Sequence, residues 1–288
     1  MIHTSRQLKA LVRNRSGGDS AKAQTIIRNY IMERLLERIS LSKYRDRLIL
    51  KGGMLVSALV GLENRSTMDI DTTMKNLPLS ADELADILTE IMKIEIDDGI
   101  IFTLKKVSEI MDEAEYPGVR AMLEAQLDTM RTPLKIDIST GDVITPGEIQ
   151  FEYKLMFEER TISIYTYNIE TVLAEKLETV ISRGTANTRL RDFYDLYILQ
   201  QVRNISVDEL KLKMALEATS RKRASYEIML QGASILEQIY NDTDMKKLWI
   251  NYQKKYDYAR DYTWDKVMES IKTLYDNIQV SAISSVYI

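Results

Sequence analysis

The sequence has no cysteine, one histidine and four prolines among its 288 residues. The absence of cysteine excludes disulfides, thiolate nucleophiles and cysteine-based zinc sites, and nothing in the chain requires an oxidising compartment. The single histidine, His3, lies next to the N-terminus, so neither histidine catalysis nor a histidine metal cluster is expected. With few prolines and only 11 glycines, the sequence predicts no long disordered linker.

Long apolar runs are also missing. No stretch approaches the roughly 18 consecutive apolar residues of a membrane span. The N-terminal segment contains basic residues but lacks the apolar region of a signal peptide. The net charge of −4 argues against a strongly basic nucleic-acid-binding protein, although it is compatible with a local basic groove. We therefore expect a cytoplasmic protein with no membrane partner.

The first 167 residues alternate between helical and strand-like patterns. Asp19 or Ser20 suits the N-cap of one helix, and Ser80 with Glu83 has the spacing of a capping box at the start of another. Hydrophobic periodicity predicts helices over residues 5–14, 21–39, 54–61 and 78–93. Alternating or apolar runs predict strands over residues 48–53, 67–74, 99–107, 118–127, 133–140, 148–153 and 161–167.

From Asn168 onward the pattern is helical. The first of these helices ends at Gly184, a residue type that commonly follows a helix C-terminus. Helices are predicted over residues 169–184, 189–200, 206–219, 224–240, 243–258 and 264–278. The sequence thus predicts an α+β fold with two domains. An α/β domain, residues 1–167, has a mixed-sheet core flanked by helices, and an all-α helical bundle domain covers residues 168–288.

Two aspartates, Asp69 and Asp71, are the first candidates for chemistry. Alternate side chains of a strand share a face, so both carboxylates are expected on one side and Ile70 in the core. Two neighbouring carboxylates repel each other, and a divalent cation such as Mg²⁺ relieves that repulsion. The alternative is an edge strand with its polar residues in solvent.

Two further segments could complete a site. Lys51-Gly52-Gly53 lies between an apolar strand and a helix, where glycines admit a ligand close to the backbone and helix amides can hold phosphate. The alternative is a tight strand–helix turn. Asp137 lies in a later alternating strand, where a third carboxylate would complete the ligand set of a two-metal site. It could equally be an outward-facing polar residue.

The order of these elements is the plan of the nucleotidyltransferase superfamily, and four motifs resemble the AbiEii toxin family of abortive-infection systems. The first motif is Gly52-Gly53 followed by Asp69 and Asp71, and the second is PLKIDIST with Asp137. Two motifs in the helical half also match. Their residues are Glu170, Ala174 and Lys176 of IETVLAEK, and Arg191, Asp192, Tyr194 and Asp195 of RLRDFYDL.

The resemblance implies a nucleotidyltransferase-like fold and the toxin half of a toxin–antitoxin pair whose antitoxin is a DNA-binding repressor. The family is described as antiphage, bacteriostatic and GTP-binding, and related toxins transfer nucleotides to tRNA 3′ ends. The implied cofactor is Mg²⁺ and the substrate an NTP, with GTP favoured. The implied roles can be stated residue by residue. Asp69, Asp71 and Asp137 hold metal, Lys51, Gly52, Gly53, Lys176 and Arg191 bind nucleotide, and Asp137 or Asp192 is the catalytic base.

Other interpretations remain open at this stage. The site could bind GTP as a switch without turnover, or modify a small molecule such as an aminoglycoside, and the helical half could pack against a partner. Tyrosines interleave with cations over residues 247–264, which indicates either a helix packing face or a contact with nucleic acid. The run Arg221–Arg223 is expected to be a solvated loop between helices or a phosphate contact.

Overall fold

The computed structural model of the chain describes residues 2–75, 80–110, 118–202 and 206–278. Within them, seven strands form one mixed sheet. The strands are β1 Leu48–Lys51, β2 Ile70–Met74, β3 Ile100–Ile110, β4 Gly118–Leu127, β5 Met130–Thr140, β6 Ile149–Lys154 and β7 Thr161–Thr166. Their order in the sheet is β3-β4-β5-β2-β1-β7-β6. The pairs β2–β5 and β1–β7 are parallel and the other neighbours are antiparallel.

Helices in this part of the chain begin where the sequence supplies caps. Asp19 accepts the Lys22 amide at the start of the second helix, and Ser80 and Glu83 form the predicted capping box. The helices are α1 Ser5–Ser16, α2 Ser20–Leu41, α3 Gly52–Val60 and α4 Ala81–Met92. Residues 78 and 79 of the predicted fourth helix lie outside the described residues.

Two predicted strand boundaries were wrong near the candidate site. The strand predicted over 48–53 ends at Lys51, because Gly52 has a φ of +63° and begins α3. The strand predicted over 67–74 begins at Ile70, so Asp69 lies just before it. A loop hydrogen bond from the Thr67 hydroxyl to the Asp69 carbonyl, 3.3 Å long, holds the chain at this strand entry.

A buried ion pair ties α2 to the first residues of β3. Arg38 donates to both carboxylate oxygens of Asp98, at 2.7 and 3.0 Å, and to the Ile100 carbonyl at 3.0 Å. Asp98 also accepts the Ile100 amide at 3.0 Å, so the two opposite charges are paired within the core. Breaking such a pair costs about 3 to 5 kcal/mol, since it leaves a buried charge uncompensated. The pair therefore fixes the edge of the sheet relative to α2.

Glu33 is a second buried ionisable residue of α2. Its carboxylate is 5% exposed and accepts the Met156 amide at 2.8 Å and the Tyr153 hydroxyl at 3.3 Å. Burial raises the pKa of the Glu33 carboxyl to about 7, even though the Met156 hydrogen bond and the Arg34 charge oppose the shift. The folded chain therefore keeps a proton on Glu33 that the unfolded chain releases at lower pH.

We expect Glu33→Gln to flatten the pH dependence of stability. The folded-state pKa of about 7 exceeds the reference value of 4.5, so the stability of the wild-type protein falls as pH rises from 4.5 to 7. The glutamine variant lacks this titrating group. Between pH 4.5 and pH 7 its free energy of unfolding should therefore rise by roughly 2 to 3 kcal/mol relative to that of the wild-type protein. Urea unfolding at pH 4.5 and at pH 7 measures this difference, and Glu95→Gln, at an exposed position, is the control. A constant difference between variant and wild type would contradict the prediction.

The chain divides into two compact units. The described residues of Met1–Asp142 and Glu148–Tyr167 form the first, and those of Val143–Gly147 and Asn168–Ile288 form the second. The short segment joins the second unit because the Asn168 side-chain amide donates to the Thr145 and Gly147 carbonyls, at 2.9 and 2.8 Å. The same Asn168 caps the helix Ile169–Arg183 by accepting the Thr171 amide at 2.7 Å.

The described part of the second unit contains helices and no strands. Its helices are α5 Ile169–Arg183, α6 Leu190–Gln200, α7 Glu209–Lys222, α8 Tyr226–Met229, α9 Gly232–Asn241, α10 Thr243–Lys255 and α11 Trp264–Ile278. The single helix predicted over 224–240 is thus two, α8 and α9. The Tyr275 hydroxyl donates to the Met229 carbonyl at the end of α8, and a Cβ at Gly232 would lie 2.5 Å from the Tyr275 ring.

The aromatic residues of segment 247–264 belong mainly to the core of this unit. Trp249, Tyr252 and Trp264 are buried, and the ring centres of Tyr194 and Tyr258 are 4.8 Å apart. The packing interpretation therefore accounts for these aromatics without a nucleic-acid ligand. Arg223 departs from the expected solvated loop, since its guanidinium lies 2.5 Å from the buried Glu178 carboxylate.

Among the residues that the structure describes, no helix is both long and apolar enough to cross a membrane.

Candidate active site

The strand register aligns five polar or charged residues in one row across the sheet. On neighbouring strands, Ser108 lies opposite Arg120, Arg120 opposite Asp137, Asp137 beside Asp71, and Asp71 opposite Lys51. We call these five residues the site row. Because directly paired residues of neighbouring strands point to the same face, the row crosses β3, β4, β5, β2 and β1 on one side of the sheet.

Asp71, between Asp137 and Lys51 in the site row, lies against the two glycines. A Cβ at Gly52 would overlap the Asp71 carboxylate and lie 2.7 Å from the Asp71 Cβ. The Gly53 amide is 3.4 Å from Asp71 Oδ2, which is a long hydrogen bond and the only one to this side chain among the described residues. Burial raises the pKa of the Asp71 carboxyl, and Asp137 and Asp69 raise it further, although Lys51 opposes them.

Two cations neutralise the carboxylates beside Asp71. Arg120 holds Asp137 with two parallel hydrogen bonds of 2.8 and 3.0 Å. The Lys135 ammonium lies 2.9 Å from Asp69 Oδ2 and 3.4 Å from Asp137 Oδ2, so Asp69 and Asp137 converge on it. Partial burial alone would lower the pKa of Lys135, but the bond to Asp69 and the charge of Asp137 raise it. Lys135 is therefore protonated at neutral pH.

At the other end of the site row, a buried carboxylate fixes Lys51. Asp142 is fully buried, and its Oδ2 accepts the Lys51 ammonium, the Ser139 hydroxyl at 2.6 Å and the Tyr167 hydroxyl at 2.8 Å. Burial alone would raise the pKa of Asp142, but Lys51 and the two hydroxyls hold it below its ordinary value. The ammonium also lies 5.6 Å from the centre of the Tyr167 ring. Lys51 is thus held beside Asp71 by a group that stays ionised.

The donor set of Asp69, Asp71 and Asp137 fits a divalent metal. All three donors are hard carboxylate oxygens, which Mg²⁺ prefers. Asp71 accepts only the long bond from Gly53 among the described residues, so its lone pairs are available to a cation. Asp69 and Asp137 are already paired with Lys135 and Arg120, and the described residues include no cluster of three or more acidic or histidine side chains preassembled around a metal position. A metal would therefore have to compete with these two cations.

The second unit holds the remaining predicted site residues. The Lys176 ammonium of α5 lies 2.9 Å from Asp192 and 2.7 Å from Asp195, both on α6, and Asp195 is fully buried. Arg191 is exposed, while the Glu170 carboxylate accepts the Asp208 amide at 3.0 Å. Asp192 thus pairs with Lys176 of the preceding helix. That arrangement leaves Lys176 ordered and only 12% exposed.

The sheet brings Asp69, Asp71, Asp137, Lys51 and the two glycines together within the first unit. Their predicted roles in metal and nucleotide binding remain predictions. Sequence reasoning missed three contributors, Arg120, Lys135 and Asp142. Lys135 could have been found, because it alternates with Asp137 on the same strand face. Arg120 and Asp142 carry no such local signal, since their contacts depend on pairing between strands and on a turn.

A seven-stranded mixed sheet with flanking helices, followed by a helical region, defines an α+β protein. The model of the nucleotidyl transferase AbiEii toxin family, of type IV toxin–antitoxin systems, matches residues 34–270. The chain therefore belongs to the AbiEii toxin family. Membership implies a nucleotide substrate, a divalent metal and an antitoxin partner.

Three solved structures are similar to this chain at low sequence identity. JHP933 from Helicobacter pylori has a TM-score of 0.53 and 16% identity, over 89% of this chain and 92% of that chain. A "putative nucleotidyltransferase" from H. pylori has a TM-score of 0.49 and 15% identity, over 89% and 95%. An antigenic nucleotidyltransferase-like protein from Paracoccidioides brasiliensis has a TM-score of 0.38 and 14% identity, over 78% and 92%. No relative among the curated proteins matches this sequence.

Proposed function

We propose that this AbiEii-family toxin uses Mg²⁺ to transfer a nucleotide from an NTP, with GTP favoured, to the 3′ end of a tRNA. The site row supports the proposal most strongly, because it sets Asp71 beside Asp137 and opposite Lys51, with Asp69 at the strand entry. Blocking tRNA 3′ ends in the cytoplasm would stop translation, arrest growth and limit phage multiplication. The partner we infer is a repressor-type antitoxin encoded with the toxin.

The residues of the first unit have separate proposed roles in metal binding and phosphate binding. Asp69, Asp71 and Asp137 would hold Mg²⁺, which neutralises the triphosphate and stabilises the in-line displacement when bound. Lys51, held by Asp142, places a positive charge beside Asp71 where it can meet a phosphate oxygen. The amides at the start of α3 lie where a helix N-terminus favours a negative group.

The second unit contains the other residues that we propose for phosphate binding and proton transfer. Lys176 is held by Asp192 and Asp195, so it presents an ordered ammonium to an anion at little cost in side-chain entropy. Arg191 is exposed and can contact phosphate. Asp137 and Asp192 are the two candidates for the base that accepts the proton of the acceptor hydroxyl.

Incubation of the purified protein with total tRNA and each of the four labelled NTPs tests this function. We expect label on RNA with one or two of the nucleotides, GTP among them. tRNA with its 3′ diol oxidised by periodate should remain unlabelled, which would assign the transfer to the 3′ end. No label with any of the four nucleotides would contradict the proposal.

A second candidate is a toxin that binds GTP without turnover. Arg120 and Lys135 favour it, because they already neutralise Asp137 and Asp69 and could hold a nucleotide in place without metal-assisted chemistry. Growth arrest on expression of Asp69→Ala/Asp71→Ala separates the two functions. A transferase loses toxicity with both carboxylates removed, whereas a binding switch retains it.

Lys135→Gln should lower the Mg²⁺ concentration that gives half-maximal activity. The Lys135 ammonium lies within 3.4 Å of two of the proposed metal ligands, so it competes with the metal for Asp69 and Asp137. Removing its charge should tighten metal binding roughly threefold to tenfold, or about 1 kcal/mol. Incorporation measured across a Mg²⁺ titration reports the midpoint, and the exposed Lys93→Gln is the control. A midpoint that is unchanged or raised would show that Lys135 does not compete with metal.

A further inference from the structure

Strand β3 turns two consecutive lysines to the face of the sheet that carries the site row. The register shifts between Leu104 and Lys106, so Lys105 is the extra residue of a β-bulge. Lys105 contacts Glu124 at 2.9 Å, and Lys106 lies opposite Met122. Both partners alternate with Arg120 along β4 and share its face. A bulge sets two residues against one, and here it lets both lysines point the same way.

Further cations lie on the same face of β4 and β5, beside these lysines. We call the five cations the basic face: Lys105, Lys106, Arg120, Arg131 and Lys135. Two carboxylates of the three strands share this face, Glu124 and Asp137, and Asp69 contacts Lys135 from the entry of β2. The five cations outnumber these three carboxylates, although the chain as a whole has a net charge of −4. The opposite side of these strands is apolar and buried, as Phe102, Leu123 and Leu134 show. Positive charge is therefore concentrated on one exposed side of the sheet.

The basic face runs without interruption into the site row. Lys106, Met122 and Lys135 follow one another across β3, β4 and β5, and Lys135 contacts Asp69. Neighbouring strands are about 4.8 Å apart, so β3 lies about 14 Å from β2. Exposed apolar side chains lie between the cations, with Ile101 67% and Met122 37% exposed. Such a surface offers regularly placed charges for phosphates and apolar contacts for bases.

We propose that the basic face binds the phosphates of the single-stranded 3′ end of the acceptor RNA and so directs its terminal hydroxyl to Asp69 and Asp71. This inference rests on the proposed function and specifies where that function receives its acceptor. Single-stranded RNA fits better than an acidic protein, because the cations lead directly to the carboxylates at which the transfer takes place. The contacts are to phosphates, so binding depends little on sequence and strongly on salt.

Fluorescence anisotropy with a labelled single-stranded RNA of about 12 nucleotides, without NTP or metal, tests this surface. The test variant is Lys105→Gln/Lys106→Gln, whose two side chains are exposed. The matched control is Lys254→Gln/Lys255→Gln, another pair of adjacent exposed lysines at the end of α10. The two variants change the net charge by the same amount, so a difference between them reports the position of the charge rather than its total.

We expect the test variant to lose about 20-fold in affinity near 0.1 M salt. Its slope of log affinity against log salt should also fall by about 1.4, since each phosphate contact to a single strand contributes about 0.7. The control should stay within about twofold of wild type. Unchanged affinity in the test variant, an equal loss in both variants, or displacement of the RNA by polyglutamate at equal charge concentration would overturn the proposal.

Nucleotide incorporation separates this proposal from the proposed function. If transfer to RNA occurs and the test variant leaves the KM for RNA unchanged, the surface assignment fails while the function stands. If no nucleotide is ever incorporated but the test variant still loses affinity for RNA, the function fails while the surface stands. When both hold, the test variant should raise the KM for RNA about 20-fold with little change in kcat.

Discussion

Asp71→Asn should reduce nucleotide incorporation by about a thousandfold without lowering the thermal stability of the protein. The substitution removes a proposed metal ligand, and loss of the electrostatic stabilisation at such a site costs about 4 kcal/mol. Stability should not suffer, because burial and the charges of Asp137 and Asp69 raise the pKa of Asp71. An ionised carboxylate at this position therefore destabilises the fold at neutral pH, and the neutral amide avoids that cost.

The measurement pairs labelled-nucleotide incorporation with thermal unfolding of the same preparation. Asp97→Asn is the matched control, since the Asp97 side chain is 91% exposed and lies outside the site row. It should keep wild-type activity and stability. If Asp71→Asn retained more than a tenth of the incorporation rate, Asp71 could not be a metal ligand that the reaction requires.

Gly52→Ala should destabilise the first unit by about 2 to 5 kcal/mol. Gly52 has a φ of +63°, a conformation that costs an L-residue about 1 to 2 kcal/mol. The added Cβ would also overlap the Asp71 carboxylate and lie 2.7 Å from the Asp71 Cβ, which adds about 1 to 3 kcal/mol. The neighbouring backbone cannot relax freely, because Lys51 and Asp71 are paired in the sheet.

Gly17→Ala measures the conformational part of this effect alone, so the difference between the two variants reports the steric part. Gly17 has nearly the same φ, +61°, but a Cβ built there meets nothing within 4 Å. Urea unfolding should show a loss of about 1 to 2 kcal/mol for this control. A double-mutant cycle that combines Gly52→Ala with Asp71→Gly should show a coupling free energy of at least about 1 kcal/mol between the two positions. Equal losses at Gly17 and Gly52 would contradict a contact between Gly52 and Asp71.

Much of the fold could be predicted because local signals were strong. The capping box of Ser80 and Glu83 marks the start of a helix, and the alternation around Asp137 marks a strand with one buried face. The junction at Gly52 was less clear, since an apolar strand followed by glycines does not reveal where the helix begins. The break between α8 and α9 could not be seen either, because it depends on Tyr275, some 46 residues further along the chain.

The candidate site was predicted in part for the same reason. Asp69 and Asp71 stand out through their own spacing, but their neighbours depend on which strands pair. The parallel pairing of β2 with β5 joins segments that are 66 residues apart, as between Asp71 and Asp137. No local pattern indicates that Arg120 will oppose Asp137, or that a bulge at Lys105 will turn two lysines to one face. These contacts arise from tertiary register, which periodicity does not encode.

The alternation within β5 makes the protein sensitive to inactivation by the deletion of a single residue. Along this strand, Leu134, Ile136 and Ile138 are buried, whereas Lys135 and Asp137 lie on the face of the sheet that carries the site row. Deleting one residue early in β5 would exchange the two sets, because the side-chain period of a strand is two. A single in-frame codon deletion far from Asp69 and Asp71 would thus remove the core and the site together. Under selection against the toxin, the strand interior would be as vulnerable to such deletions as the codons of the proposed metal ligands are to substitution.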